Sequence, residues 1–514
     1  MNGAESLVHT LIAGGIETCF TNPGTSEMHI VAALDQIPGV RCVLCLFEGV
    51  VTGAADGYAR MAKKPACTLL HLGPGLANGV ANLHNASRAR VPMVNIVGQH
   101  ATFHLTHDTP LTSDIEAIAR PYSKWLRTTK AALSLGGDTA EAIAAARTER
   151  GQIATLIVPA DAAWSEGGIA AQVPPAPQPK IPAAETIERA VHMLESGKRT
   201  GLVIAENCLY GDGLRLAGKI AAASDAELLA PYPFTRIERG AGTPHVDRIP
   251  YVLEQAVERL KEFRQLILVG AQPPIAYFAH PARNSVMTPR DCEIHTLAKP
   301  GEDAAAALAK LAEAFSTRGK QVKTDELNPP RTPSGPISLP GLATAVAALL
   351  PEGAIVADES MTSGRAMMAA ASCSRPHDWL ACTGGAIGIA MPLAVGAAVA
   401  CPERKVLCLT ADGSGMYTLQ ALWTMARENL NVTTVVFANR EYSVLKREFA
   451  SMGFGEPGLR ALDMFEIGRP DLDWVRLAQG MGVPARRATT LDEFGAELTR
   501  GFVETGPKLI EVPL

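Results

Sequence analysis

At 514 residues the chain is too long for a single hydrophobic core, and its length suggests about three domains. A net charge of −5 with no basic cluster argues against a nucleic-acid partner, and an apolar content of 47% fits a well-packed globular protein. The ten cysteines follow no framework spacing, and the one C-x-x-C, Cys42 to Cys45, lies in an apolar run, so buried thiols in a reducing compartment are expected.

The start, Met1 to Ser6, has neither a basic n-region nor an apolar h-region, so no signal peptide is predicted and a cytoplasmic protein is expected. Strands are predicted at 17–20, 42–47, 67–70, 93–97 and 153–158, each a short apolar run bounded by turn residues. The proline-rich stretch 174–182 reads as an extended linker. Beyond it, strands are predicted at 200–204 and 266–269, with helical spacing between them over 253–263. A second proline-rich stretch, 328–336, precedes predicted strands at 355–356, 406–409, 434–437 and 509–512. The uncharged run 379–402 is long enough to raise a membrane span, but four glycines and Pro392 interrupt it, so a buried turn and core helix are expected. Strands alternating with helices predict an α/β chain of three consecutive doubly wound parallel-sheet domains over 1–172, 183–325 and 337–514.

The most informative chemistry lies in the last third. Asp412, in Ala411-Asp412-Gly413-Ser414, and Asn439, in Asn439-Arg440-Glu441-Tyr442, each close an apolar run and stand 27 positions apart. Two neighbouring parallel strands would carry a carboxylate and an amide oxygen to one sheet edge. Such hard oxygens suit Mg²⁺ or Ca²⁺, and Mg²⁺ usually also takes oxygens from a bound phosphate. The carboxyl ends of strands are where open α/β sheets bind ligands.

In the first third, Glu48 closes a strand-like run and opens a small-residue helix through Gly57-Tyr58-Ala59-Arg60. Alone it reads as a carboxylate favoured by the helix dipole, although the preceding apolar residues imply partial burial. His71 precedes Gly73-Pro74-Gly75, a turn that lets another group approach the backbone closely, and alone it reads as a structural histidine. Asn22-Pro23-Gly24-Thr25-Ser26-Glu27 is a third strand-end turn, in which Thr25 or Ser26 could cap a helix.

Together these segments resemble the thiamine-diphosphate-dependent 2-oxo acid enzymes, above all acetolactate synthase large-subunit homologues and benzoylformate decarboxylase. The resemblance covers nearly the whole chain, with Ala411 standing where the family usually has glycine. It implies a pyrimidine-binding first domain, a middle domain and a diphosphate-binding last domain, in a homodimer or homotetramer with sites between chains. It implies that Glu48 hydrogen-bonds the cofactor's pyrimidine ring and promotes its imino tautomer. Asp412 and Asn439 would bind Mg²⁺ by side chain and Glu441 by its carbonyl, while Gly413, Ser414 and Tyr442 would meet the cofactor, with Thr362 and Ser363 as further diphosphate contacts. In Gly384-Gly385-Ala386-Ile387-Gly388, Gly385 would accept from the pyrimidine amino group and Ile387 would wedge the bent cofactor.

The same resemblance places His71 and Thr25 where benzoylformate decarboxylase carries active-site residues, and Pro273 to His280 resembles the segment that supplies its second histidine, with His280 displaced by one position. Leu72 to Gly75 and Val97 to Gln99 resemble the synthase instead. Flavin-bearing relatives have a longer glycine-rich stretch where this chain has Thr235 to Gly242, so no FAD is expected. The implied function is decarboxylation of a 2-oxo acid with carboligation. A simple decarboxylase is the first alternative and a catalytically silent cofactor-binding paralogue the second. No nucleic-acid or membrane partner is expected.

Overall fold

The computed structural model describes residues 1–281, 283–315 and 321–514, and three sheets organise them. The first comprises β1 (Thr18–Asn22), β2 (Arg41–Leu44), β3 (Ala66–Leu70), β4 (Met93–Gln99), β5 (Trp125–Thr128) and β6 (Ile153–Pro159). They run parallel in the order β2-β1-β3-β4-β6-β5. Strands β3, β4 and β6 are buried at every position, as a sheet covered by helices on both faces requires.

The next six strands are β7 (Thr200–Ile204), β8 (Glu227–Ala230), β9 (Arg236–Arg239), β10 (Asp247–Arg248), β11 (Gln265–Val269) and β12 (Glu293–Ala298). Five of them form the second parallel sheet, in the order β10-β8-β7-β11-β12. The third sheet is built from β13 (Ala354–Asp358), β14 (His377–Ala381), β15 (Val406–Ala411), β16 (Val432–Ala438), β17 (Ala485–Arg487) and β18 (Lys508–Pro513). Its order is β17-β18-β16-β15-β13-β14-β9, so β9 leaves its sequence neighbours and pairs antiparallel with β14. The proline-rich stretches 174–182 and 328–336 contain no helix or extended strand, only an isolated bridge from Pro336 to Thr490.

The uncharged run 379–402 resolves into the end of β14, a glycine turn and the helix Ala390–Ala400, buried on all sides but its last residue. Among the described residues no helix is long and apolar enough to cross a membrane. The partner of this helix is Glu48–Ala62, and the approach is close enough to demand glycine. A Cβ on Gly57 would stand 2.1 Å from the Leu393 carbonyl oxygen, and one on Gly396 would stand 1.9 Å from that of Ala54. The small-residue composition of both helices therefore welds the first unit to the third.

Candidate active site

Asp412 and Asn439 follow β15 and β16, which pair in parallel with Ala411 opposite Phe437, so the predicted meeting at one sheet edge occurs. Asp412 is buried; its Oδ1 accepts from the Gly413 amide at 2.9 Å and its Oδ2 from the Arg440 amide at 2.6 Å. The Asn439 Oδ1 accepts from the Glu441 amide at 3.2 Å, and its Nδ2 donates to Ser443 Oγ at 2.8 Å. These bonds lock both side chains and leave oxygen lone pairs free. The Glu441 carboxylate is taken up by Lys446 and by Ser443 Oγ. Tyr442 packs on Gly413, where a Cβ would stand 2.6 Å from its ring. Gly413 and Ser414 are buried in the short helix Asp412–Gly415. Thr362 and Ser363 lie beyond β13 at the same edge, with the Ser363 amide bonded to the Ser360 carbonyl at 3.0 Å.

Among the described residues no group of three or more His, Cys, Asp or Glu side chains could hold a metal. The donor set here is of another kind: one carboxylate, one amide oxygen and backbone carbonyls. Hard oxygens in that number fit Mg²⁺, which keeps waters and substrate phosphates in the rest of its shell. The residues present therefore fit a diphosphate-bound Mg²⁺.

The turn 384–388 borders this cluster. Thr418 Oγ1 donates to the Gly388 carbonyl at 2.7 Å, and Gly385 has φ +79°. Gly385 is exposed and Ile387 half-buried. Asn85, from the helix Leu72–Ala89, accepts from the Gly384 and Ala386 amides at 3.1 and 3.2 Å and donates to the Ala386 carbonyl at 2.8 Å. From the other side, buried Glu359 accepts from the amides of Gly388, Ile389 and Ala390 at 2.8, 3.3 and 3.3 Å. Burial pushes the Glu359 carboxyl up to about 7 against the pull of those three amides. A carboxyl raised in this way gives stability that is present below about 4.5 and is lost as pH rises through about 7. The thermal midpoint of wild type minus that of Glu359→Gln should therefore fall between pH 5 and pH 8; a constant difference would contradict it.

The third cluster stands on the first sheet. Glu48 begins the helix Glu48–Ala62, and both its oxygens are fixed: Asn22 Nδ2 donates to Oε1 and Asn78 Nδ2 to Oε2, each at 2.9 Å. Gly75 packs between Glu48 and His71, its Cβ position 3.4 Å from each. His71 Nδ1 lies 2.8 Å from Glu27 Oε2, which also accepts from the Gly24 amide at 2.9 Å. Burial pushes Glu27 up, and the bond to His71 opposes it. The Glu27 carboxyl is fully buried, and Oε1 has no partner. It occupies the space left by Gly98, where a Cβ would stand 1.7 Å away. With Nδ1–H donating to Glu27, Nε2 of the partly exposed His71 ring remains for other partners.

Sequence reasoning missed Glu27, Asn22, Asn78, Asn85 and Glu359. Thr25 is exposed on the turn whose Gly24 packs against His71. His280 lies apart from that group, with Nε2 3.2 Å from Ser451 Oγ. The Glu48 and Asp412 clusters share no hydrogen bond among the described residues.

Three parallel-sheet units with a carboxylate-led helix at one strand edge and a hard-oxygen pair at another form the frame of a cofactor-dependent enzyme. Residues 1–118 match the family model described as "Thiamine pyrophosphate enzyme, N-terminal TPP binding domain", and residues 362–512 match its C-terminal TPP binding counterpart. The chain belongs to the thiamine pyrophosphate enzyme family. It is 50% identical over 513 residues to a Mycobacterium tuberculosis protein named "Putative acetolactate synthase large subunit IlvX", covering 100% of this chain and 99% of that one. It is 27% identical over 529 residues to benzoylformate decarboxylase of Pseudomonas aeruginosa, covering 97% and 96%. In fold it is similar to the 4-hydroxybenzoylformate decarboxylase of Rhodococcus jostii, with a TM-score of 0.86 at 22% identity over 100% and 99% of the two chains.

Proposed function

We propose that the protein is a thiamine-diphosphate- and Mg²⁺-dependent decarboxylase of a 2-oxo acid, working in the cytoplasm as a homodimer or homotetramer. In this reading 1–172 holds the pyrimidine, 337–514 holds the diphosphate and metal, and 183–325 joins them. When bound, the cofactor supplies a nucleophilic carbon and an electron sink for the loss of CO₂. Asp412, Asn439 and the Glu441 carbonyl hold the metal, and Gly413, Ser414, Tyr442, Thr362 and Ser363 surround the diphosphate. Gly385 and Ile387 set the bend of the cofactor. Glu48, oriented by Asn22 and Asn78, holds a proton at the pyrimidine ring.

The observation that carries the decarboxylase reading is the pairing of His71 with buried Glu27 beside Glu48. Glu27 fixes the tautomer and ring orientation of His71, so that Nε2 is available to return a proton after CO₂ has left. Thr25 stands at the same turn, whereas His280 lies apart from it, against Ser451. Carboligation is the second reading, supported by the name of the 50%-identical relative.

A panel of 2-oxo acids, followed for CO₂, aldehyde and ligated product, tests the proposal. CO₂ with aldehyde supports it, and acetolactate from pyruvate replaces it with the second reading. No turnover with cofactor bound, or tight cofactor binding by Asp412→Ala without Mg²⁺, overturns it.

A further inference from the structure

The segment between β11 and β12 brings a different side chain to the turn 384–388 from the histidine that the resemblance pointed to. His280 turns to Ser451, whereas the hydroxyl of Tyr277 stands 2.4 Å from where a Cβ on Gly385 would lie, with the ring atoms Cζ and Cε1 at 3.3 and 3.4 Å. A side chain at 385 would displace that hydroxyl, and Gly385 has the left-handed φ of +79° besides. The backbone beneath Tyr277 is fastened across the segment: Ala276 donates to the Ser285 carbonyl at 2.7 Å, and Ile275 bridges Val286. The ring packs against Tyr251, Tyr232 and Phe278, with centroids 5.5, 6.4 and 5.3 Å away. Tyr277 is thereby held at the boundary where a cleft of about 810 Å³, lined also by Tyr232, Tyr251, Thr383 and Gly384, meets the turn.

The other polar side chains on the turn are engaged with its backbone. His84 Nε2 lies 3.1 Å from the Gly384 carbonyl oxygen, and Thr418 donates to the Gly388 carbonyl. Asn85 bonds to Gly384 and Ala386, and Glu359 accepts from the amides of 388–390. Tyr417 meets Gly388 through its Cβ, not through its hydroxyl. The Tyr277 hydroxyl makes no hydrogen bond among the described residues, and burial pushes its pKa up, so it keeps its proton at neutral pH.

A tyrosine hydroxyl drawn in from solvent usually finds a partner, and a phenol offers one O–H to donate. An ionised acceptor gains most from it, because charge assistance roughly doubles the strength of a hydrogen bond. A 2-oxo acid carries one permanent anion, its carboxylate. We propose that Tyr277 is a further substrate-contacting residue, whose hydroxyl donates a hydrogen bond to the carboxylate of the 2-oxo acid before CO₂ is lost. This rests on the reading that a 2-oxo acid reacts over the Gly385 turn.

The test is calorimetric binding to the protein loaded with thiamine diphosphate and Mg²⁺. The probe is oxamate, an unreactive carboxylate with the shape of a small 2-oxo acid, and the control is its neutral ethyl ester. Wild type should bind oxamate about tenfold or more tightly than the ester. Tyr277→Phe keeps the ring and its aromatic contacts, so the melting curve and cofactor affinity should stay at their wild-type values while that preference falls by about tenfold. For a 2-oxo acid that the wild type decarboxylates, Tyr277→Phe should raise KM by about tenfold and leave kcat within about threefold, as expected of a bond that serves binding and not the chemical step. Equal affinity of wild type for oxamate and the ester, an undiminished preference in Tyr277→Phe, or a fall in kcat at unchanged KM overturns the inference. Oxamate binding reports on the hydroxyl and CO₂ release reports on the reaction, so each reading can fail without the other.

Discussion

Replacing Glu48 by glutamine is expected to slow deuterium exchange at the acidic ring carbon of the bound cofactor by about 10²–10⁴-fold, the usual worth of a positioned proton-transfer group. Both carboxylate oxygens are already held by amide donors from Asn22 and Asn78, so the side chain has one orientation. Glutamine preserves the volume and one acceptor oxygen but turns an NH₂ towards one of those asparagines, which rotates its own amide to accept. Packing of the helix Glu48–Ala62 on Ala390–Ala400 is untouched, because that contact is made further along, at Gly53, Gly57 and Gly396. Cofactor affinity should therefore change by less than about tenfold, the worth of one hydrogen bond. Exchange is followed by NMR on the loaded protein and affinity by calorimetry. Exchange at the wild-type rate would remove Glu48 from its proposed role, whatever the substrate proves to be.

The parts of this site that the sequence displays are those whose chemistry is local. Asp412 and Asn439 each end a buried strand, and neighbouring parallel strands set their meeting. Strands buried on both faces, such as β4 and β6, stand out as apolar runs. Some strands at sheet edges do not: β5 is half-buried throughout and carries Arg127, and β10 is two residues long. Strand β9 is charged at three of its four positions, and its partner β14 lies some 140 residues away in the chain, a pairing that no local pattern encodes. The same holds for the supports of the site. Glu27 is visible in the quoted Asn22–Glu27 turn, but its service to His71 depends on a contact 44 residues away and on the bare face of Gly98. Asn85 and Glu359 grip one turn from sequence separations of about 300 and 30 residues. Periodicity reports burial, whereas the orientation of a buried polar group is a property of the assembled fold.

Arg60→Met should cost about 3–5 kcal/mol, because it strands a buried carboxylate. Both side chains of the Asp56–Arg60 pair are fully buried, and the guanidinium meets the carboxylate through two bonds of 2.7 Å. Burial pushes the Asp56 carboxyl up, and Arg60 pulls it back. The remaining donors reach out of the first unit: Nη1 to the Thr235 carbonyl at 3.0 Å and the Ala381 carbonyl at 2.7 Å, and Nη2 to Thr383 Oγ1 at 3.2 Å. Arg236 donates to the Arg60 carbonyl at 3.3 Å and pairs with Asp378, which Arg404 also binds. One side chain thus bolts together the Glu48 helix, the segment leading to β9 and the start of the turn 384–388. Methionine fills much of the volume but none of the charge. If the stranded carboxylate is the dominant cost, Asp56→Leu/Arg60→Met should recover part of the loss, since an apolar pair carries no desolvated charge. Thermal melting of the three proteins decides this: the single variant should melt lowest, the double variant between it and wild type. A single variant melting with wild type would show that the pair does not hold the units together, and a double variant melting below the single one would show that the bonds to Thr235, Ala381 and Thr383 outweigh the charge.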